Sequence, residues 1–154
     1  LIKTFRGDKY YSRFITKIAF GSYLKKIPDA KTSSDWLTDD ADVVRAYRAD
    51  PLCGFKFSVS GFKNIFQMIK FVCKPKNFKA VSKDLPILVT AGNEDPVGDY
   101  GKAPVKVYNE FCQLGIKDVE LKLYKDCRHE IITCKGKKIV YKDLLDWCMK
   151  HISK

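Results

Sequence analysis

The stretch LPILVTAG, residues 85–92, decides the fold of this 154-residue chain. It is a compact run of apolar and β-branched residues, bounded by Pro86 and Gly92. Short apolar runs with turn residues at both ends are typical of strands that are buried on both faces of a parallel sheet. The sequence therefore predicts a buried parallel strand at this point.

The residues that follow predict a helix, a second strand and a terminal helix. Apolar residues recur at helical spacing between Pro104 and Gly115. Proline is favoured at the start of a helix and glycine just after its end. DVELKLY, residues 118–124, alternates as a strand does, and KIVYKDLLDWCMKHI, residues 138–152, predicts a final helix. This order predicts a right-handed β-α-β crossover in a parallel sheet. The expected core residues of the final helix are Ile139, Leu144, Leu145, Trp147 and Cys148.

The sequence before residue 84 predicts helices instead. One apolar helical face starts at Phe14 and a second starts at Phe62. Between them, residues 31–51 predict two short helices, one capped by Ser33 or Ser34 and one capped by Thr38. We therefore predict an all-helical region over 1–83 and an α/β region over 84–154.

The composition excludes two classes of protein. With 45% hydrophobic and 13% aromatic residues the chain is too apolar to be disordered, and no apolar run approaches the roughly 20 residues of a membrane span. The six cysteines are scattered, without a C-x-x-C pair, and no signal peptide is evident. We therefore expect reduced thiols and a cytoplasmic location. Cys73, Cys112 and Cys148 are expected to pack as small apolar residues in helices.

The net charge of +11 lies mostly in the first half, with +9 in residues 1–80 and +2 in residues 81–154. Such a charge attracts nucleic acid, anionic lipid surfaces or acidic substrates, and a solvated lysine-rich surface accounts for it equally well. The chain has no recognition motif in which aromatic and basic residues alternate on one face. We therefore expect no nucleic-acid partner.

Two polar residues follow the two predicted strands. Asp95 comes just after the first strand, and His129 comes just after the second. Because parallel strands end at the same edge of a sheet, we expect the two side chains to meet there. A carboxylate beside an imidazole fixes its tautomer and stabilises the imidazolium, and the chain order fits the last two members of a hydrolase triad. Asp95 and His129 are the predicted catalytic residues.

Other interpretations of these positions remain open. A histidine after a strand is often structural, Asp95 suits an ordinary turn, and Asp99 competes as the partner of the histidine. Glu130 is expected to orient its neighbours or to form an ion pair, and His151 to complement the dipole of the last helix.

A metal site is not predicted. Cys127, His129 and Cys134 match no standard zinc spacing, and a fourth ligand is absent. We expect neither a metal nor an organic cofactor.

Longer stretches carry a resemblance to a known family. LPILVTAGNEDPVGDYGK (85–102) and GIKDVELKLYKDCRHEII (115–132) resemble the C-terminal part of the α/β-hydrolase family, within the bacterial monoacylglycerol lipase and lysophospholipase-like group that includes serine aminopeptidase-type hydrolases. The resemblance places the triad acid at Asp95 in G-x-x-D-P-V-G and the histidine at His129 in R-H-E. SDWLTDD (34–40) and YRADPLCGFKFSVSGF (47–62) resemble the helical cap over the acyl-binding site of that group.

The chain departs from the family at the nucleophile. The family's serine lies in G-x-S-x-G, and neither FGSYL around Ser22 nor SVSGF around Ser60 has that pattern. The resemblance implies that the serine and the first six strands lie in an N-terminal half that precedes Leu1. Because the chain also starts without Met, we expect a fragment: the cap and the last two strands, inactive alone and partnered by that half.

The expected function is that of a serine hydrolase for carboxylic esters of lipids, such as monoacylglycerols or lysophospholipids. Thioesterases and peptidases share this triad, so the motifs do not choose the substrate. The basic first half is expected to favour a peripheral position on anionic membranes. The alternative is a non-catalytic interaction module on a hydrolase scaffold.

Overall fold

Four helices lie between residues 13 and 79 of the computed structural model, which describes residues 6–152. They are α1 (Arg13–Phe20), α2 (Ala41–Ala49), α3 (Val59–Val72) and α4 (Pro75–Lys79). The helical and α/β regions predicted over 1–83 and 84–154 therefore differ in secondary structure as expected. Their division into two domains stays a prediction, and residues 1–5 and 153–154 lie outside the described residues.

Helices α1, α2 and α3 begin at side-chain caps, whereas α4 begins with Pro75 and has no side-chain cap. Ser12 Oγ accepts a hydrogen bond from the backbone of Ile15, and Ser58 Oγ accepts one from Gly61. The prediction that Thr38 caps α2 is wrong: Asp40 Oδ1 accepts from the amides of Asp42 and Val43, because a carboxylate one residue before the helix reaches its free N–H groups.

The helix predicted to start at Ser33 or Ser34 does not form. Residues 32–37 are turns and bends, since Asp35 Oδ2 accepts hydrogen bonds from the amides of Lys31 and Thr32. A side chain that binds preceding amides competes with helical hydrogen bonding. The segment therefore presents its backbone carbonyls to other parts of the molecule.

Two parallel strands form the sheet of the described residues. Strand β1 (Ile87–Gly92) pairs with β2 (Val119–Tyr124) in the register Ile87 opposite Val119 through Gly92 opposite Tyr124. Helix α5 (Lys102–Gln113) connects them, and α6 (Lys137–Ile152) follows β2. The strand, helix, strand, helix order is confirmed, and both strands end at one edge of the sheet.

The buried face of α6 differs from the predicted one. Val140 is fully buried, and it packs with Tyr124, Cys127 and Cys134 in a core cluster that Leu144 also contacts. Ile139 and Leu145, both predicted in the core, are 64% and 60% exposed. The apolar residues of this helix occupy more than one face, so spacing alone did not identify the face that meets the sheet.

The six cysteines are all free thiols. Cys127 and Cys134 are buried, whereas Cys73, Cys112 and Cys148 are exposed. The prediction that the last three pack inside helical faces is therefore wrong. Among the described helices, none combines the length and apolar character needed to cross a membrane.

Candidate active site

Gly92, the last residue of β1, allows the loop after β2 to approach the strand closely. A Cβ atom at Gly92 would lie closer than 3.0 Å to the carbonyl oxygens of Cys127 and Arg128. Only a residue without a side chain permits this backbone contact. The consequence is that residue 129 lies beside the end of β1.

Backbone hydrogen bonds join the two loops that follow the strands. We call residues 93–101 the acid loop and residues 125–136 the histidine loop. The Asn93 amide donates to Tyr124 O at 3.0 Å, and the Glu94 amide donates to Cys127 O at 3.0 Å. The Asp126 amide donates to Asn93 Oδ1 at 3.0 Å. These bonds extend the parallel pairing beyond the strands and fix the loops relative to each other.

The structure brings Asp95 and His129 together. His129 Nδ1 lies 3.1 Å from Oδ2 and 3.2 Å from Oδ1 of Asp95. Asp95 is buried, and its Oδ1 also accepts a hydrogen bond from the Val97 amide at 2.8 Å. Because a carboxylate only accepts, Nδ1 carries the proton, and the lone pair of the neutral imidazole is on Nε2.

The carboxylate determines the electrostatics of this pair. The hydrogen bond that His129 donates to Asp95, together with the charge of that carboxylate, raises the pKa of His129 above 6.5, against the opposing effect of burial. The negative charge of Glu130 raises it further. Burial and the charge of Asp95 raise the pKa of Tyr23, so this phenol stays neutral. The surroundings of His129 therefore favour the protonated form of its imidazole.

Aromatic side chains from the helical region lie against the histidine. The Trp36 ring is centred 5.2 Å from the His129 ring, and Tyr23 packs edge-on against Trp36 at 5.0 Å. Phe20 contacts both Trp36 and Phe62, at 6.4 Å and 6.0 Å between ring centres. One face of the imidazole is thus covered by an apolar aromatic cluster.

Comparisons with known proteins identify the family of this chain. Residues 5–134 match the model of the family described as serine aminopeptidase, S33. The chain belongs to this family. A monoacylglycerol lipase of Mycolicibacterium smegmatis is 27% identical over 135 residues, which are 86% of this chain and 45% of that protein.

Solved structures show the same fold for this S33 chain. A thermostable carboxyl esterase from Bacillus coagulans superposes with a TM-score of 0.81 at 25% identity, over 98% of this chain and 48% of the esterase. A Paleococcus ferrophilus monoacylglycerol lipase gives 0.57 at 20% identity, over 93% and 54%. The chain spans about half the length of these relatives. The predicted α/β-hydrolase fold is confirmed.

Asp99, the predicted competitor of Asp95 for the histidine, has a different partner. It is an exposed residue that pairs with Lys102 at 3.6 Å. Glu130 accepts a hydrogen bond from Thr133 Oγ1 through Oε2, and its backbone amide donates to Leu37 O at 2.7 Å. Neither side chain replaces Asp95 at the imidazole.

Neither Ser22 and Ser60, which lack the family's serine motif, nor the buried thiol of the histidine loop has the character of a nucleophile. Ser22 lies in the turn after α1 and Ser60 in the first turn of α3, and neither follows a strand. Burial and the neighbouring Cys134 raise the pKa of the Cys127 thiol to about 12, so that thiol stays protonated. Neither serine has the position of an α/β-hydrolase nucleophile, and a protonated thiol is a poor one.

His151 belongs to a second polar cluster at the opposite end of β2. Its Nε2 lies 3.0 Å from Asp118 Oδ2, its Nδ1 lies 2.6 Å from Trp147 O, and Lys150 pairs with Glu120 at 2.5 Å. The ligand atoms of Asp118, Glu120 and His151 lie within 4.8 Å of one another, the spacing of a possible metal group among the described residues. These hydrogen bonds and this ion pair join α6 to the residues at the start of β2.

Two residues of this site, Trp36 and Arg128, were not predicted from the sequence. Trp36 covers the imidazole, and the Arg128 guanidinium donates to two carbonyl groups of residues 35–38. Both contacts join positions about 90 residues apart, so no local spacing reveals them. The arginine beside the histidine in R-H-E was a signal, but its partners are backbone atoms that the sequence does not identify.

Proposed function

We propose that His129 and Asp95 are the base and the acid of a Ser-Asp-His triad that hydrolyses carboxylic esters of lipids. The observation that carries the proposal is the hydrogen bond between His129 Nδ1 and buried Asp95, at the carboxyl end of two parallel strands. Membership of the S33 family and the lipase and esterase relatives support it. The serine comes from outside these 154 residues, since the sequence contains no G-x-S-x-G.

The geometry suits proton transfer through Nε2 of His129. This atom has no hydrogen-bond partner among residues 6–152, while Nδ1 is directed at Asp95. As the serine oxygen attacks the ester carbonyl, Nε2 accepts the serine proton and Asp95 stabilises the imidazolium. The imidazolium then donates that proton to the departing alcohol. In the second half-reaction Nε2 takes a proton from water, the hydroxide attacks the acyl-enzyme, and the proton returns to the serine.

Lipid esters are the proposed substrates because the helical region supplies apolar surface next to the base. Trp36 lies against His129, and Phe20 and Phe62 continue the aromatic cluster away from it. Aromatic side chains of this kind provide an apolar wall for an acyl chain. The charge of +9 in residues 1–80 favours a position on anionic membrane surfaces.

The experiment compares two proteins: the 154-residue chain alone and a longer protein that joins it to a serine-bearing N-terminal half. We expect the longer protein to hydrolyse p-nitrophenyl acyl esters and to react with a fluorophosphonate probe, and the chain alone to do neither. His129→Ala should abolish hydrolysis, and His151→Ala, at the other histidine, should leave it intact. Esterase activity of the chain alone that His129→Ala removes would contradict the absence of the nucleophile.

The competing function is a non-catalytic interaction module. A specific observation favours it, namely the absence of a family nucleophile from these 154 residues. A longer protein that neither binds the fluorophosphonate probe nor hydrolyses any acyl ester would establish this alternative.

A further inference from the structure

We propose that residues 35–39 position the His129 imidazole by binding the backbone and the arginine of the histidine loop, with Arg128 as the principal positioning residue. The inference rests on the proposed role of His129 as the base. It adds a dependence of that base on a segment that lies 90 residues earlier in the chain.

Four successive carbonyl groups of this segment accept hydrogen bonds from three successive residues of the histidine loop. Arg128 Nη1 donates to Asp35 O at 2.8 Å and to Thr38 O at 3.2 Å. The two carbonyls between them are also occupied: the His129 amide donates to Trp36 O at 3.4 Å, and the Glu130 amide donates to Leu37 O at 2.7 Å.

A fifth bond closes the far end of this contact. The Lys135 amide donates to Asp39 Oδ1 at 2.9 Å. Leu37 and Thr38 of the segment are buried, and so is Cys134 of the histidine loop. Both partners of the contact therefore contribute residues that are shielded from solvent.

Arg128 is held in a nearly closed environment. Its side chain is 11% exposed, and the guanidinium lies 3.4 Å from Asp29 Oδ1 and 3.9 Å from Glu94 Oε2. A guanidinium presents several N–H groups in a fixed plane, so it reaches two carbonyls and two carboxylates at once. An ammonium group keeps the charge but lacks this planar geometry.

The histidine loop is consequently fixed on two sides. On one side Gly92 and Glu94 contact the backbone of Cys127, and on the other side residues 35–39 bind residues 128–135. His129 lies between these contacts, with Asp95 at Nδ1 and Trp36 over its ring. Release of the second side leaves the loop amides unpaired and lets the imidazole move relative to Asp95.

The principal test is Arg128→Lys in the longer, serine-bearing protein, with Arg45→Lys as the matched control. Arg45 is an exposed arginine of the same helical region, and it pairs with Asp42. Arg128→Lys preserves the charge near His129. A change in the pKa of His129, measured by NMR, therefore reports a displacement of the imidazole from Asp95. We expect that pKa to fall and kcat to fall roughly 10- to 100-fold, as displacement of a catalytic group does, with KM unchanged. Arg45→Lys should change none of these.

A second pair of variants tests the segment without altering Arg128. Asp39→Ala and Asp39→Asn remove the same charge, but asparagine keeps an oxygen that accepts from the Lys135 amide. We expect a lower pKa of His129 and a lower kcat for Asp39→Ala, with recovery in Asp39→Asn. This pair decides the question if Arg128→Lys does not fold.

The outcomes separate this inference from the proposed function. If the parent protein is active and all four variants keep its kcat and the pKa of its His129, the positioning role is wrong and the triad stands. If the parent protein has no hydrolase activity but Arg128→Lys lowers the pKa of His129, the proposed function is wrong and the positioning role stands.

Discussion

His129 Nδ1 faces both carboxylate oxygens of Asp95, at 3.1 and 3.2 Å, although the two residues are 34 positions apart. The contact arises because two parallel strands end in register at Gly92 and Tyr124. The same relationship raises the pKa of the imidazole and fixes its tautomer. Changes at the carboxylate, at the strand end and in the solution pH therefore have separable effects.

Asp95→Asn should lower the pKa of His129 and strongly reduce hydrolysis. Asparagine removes the charge that stabilises the imidazolium and can bind the wrong tautomer of the neutral ring. Loss of the acid in this way costs about 10⁴-fold in kcat in serine hydrolases. Measurement of the His129 pKa by NMR and of kcat in the serine-bearing protein checks both effects.

The matched control for that variant is Asp99→Asn in the same loop. Asp99 is exposed, pairs with Lys102 and adopts a φ of 48°, a left-handed conformation that asparagine tolerates. We expect kcat and the His129 pKa to stay at their parent values. A large loss of kcat in Asp99→Asn, with none in Asp95→Asn, would exchange the roles of the two residues.

The pH dependence of activity and that of stability should run in opposite directions. The neutral form of His129 accepts the serine proton, so kcat/KM should rise with pH through the raised pKa, with its midpoint above 6.5. The imidazolium pairs with Asp95 in the folded state, so its stabilising effect is present below the unfolded pKa. That effect is lost as pH rises through the folded pKa.

Denaturant unfolding of the parent and of His129→Gln, between about pH 5.5 and about pH 8.5 around the ordinary pKa of histidine, measures this effect on stability. The difference in their free energies of unfolding should shrink as pH rises. A difference that grows with pH would contradict the assigned ion pair.

Gly92→Ala should displace the histidine loop. A methyl group at this position overlaps the carbonyl oxygens of Cys127 and Arg128, so the strand or the loop must shift. We expect a loss of about 2–3 kcal/mol in the free energy of unfolding, as for overpacked sites, and a lower pKa of His129. Thermal unfolding and NMR titration provide the two measurements.

Gly115→Ala is the matched control for Gly92→Ala. Gly115 has a φ of +76°, and a Cβ atom added to it would meet no atom within 4 Å. Alanine there strains the backbone by about 1–2 kcal/mol, the cost of a left-handed conformation, without touching a neighbour. An equal fall in the His129 pKa in both variants would show that general destabilisation, and not the close contact at Gly92, moves the imidazole.

The sequence predicted those features of this molecule that depend on local pattern. The run at 85–92 and the alternation at 118–124 identified both strands, and their shared direction placed Asp95 near His129. The hydrogen bonds from Arg128 to Asp35 and Thr38 were not predicted, because the acceptors are backbone carbonyls, which every residue has. The segment 35–39 functions here through its turns, whereas its composition predicted a short helix.

The last helix shows a second limit of sequence patterns. Its inward side consists of buried Val140 with half-buried Leu144 and Trp147. Tyr141, Leu145 and Ile152 form an exposed apolar stripe along another side. A helix with apolar residues on two sides contacts the sheet through one of them, and periodicity does not distinguish the two. The side that carries Val140 is the buried one because Val140 packs against Tyr124 and Cys134.

The exposed stripe of α6 predicts that the isolated 154-residue chain associates. The chain exposes 10989 Å², against about 8,000 Å² for a compact monomer of its mass. Leu145 and Ile152 are 60% and 77% exposed, and apolar patches of this kind favour contact with other surfaces.

Size-exclusion chromatography with light scattering should show a mass above 17.7 kDa that rises with concentration. Leu145→Ser with Ile152→Ser should lower that mass without a change of charge. Ile139→Ser, equally exposed on a different side of the helix, should have a smaller effect. A parent chain that stays monomeric at all concentrations and unfolds in one sharp transition would contradict this role of the stripe.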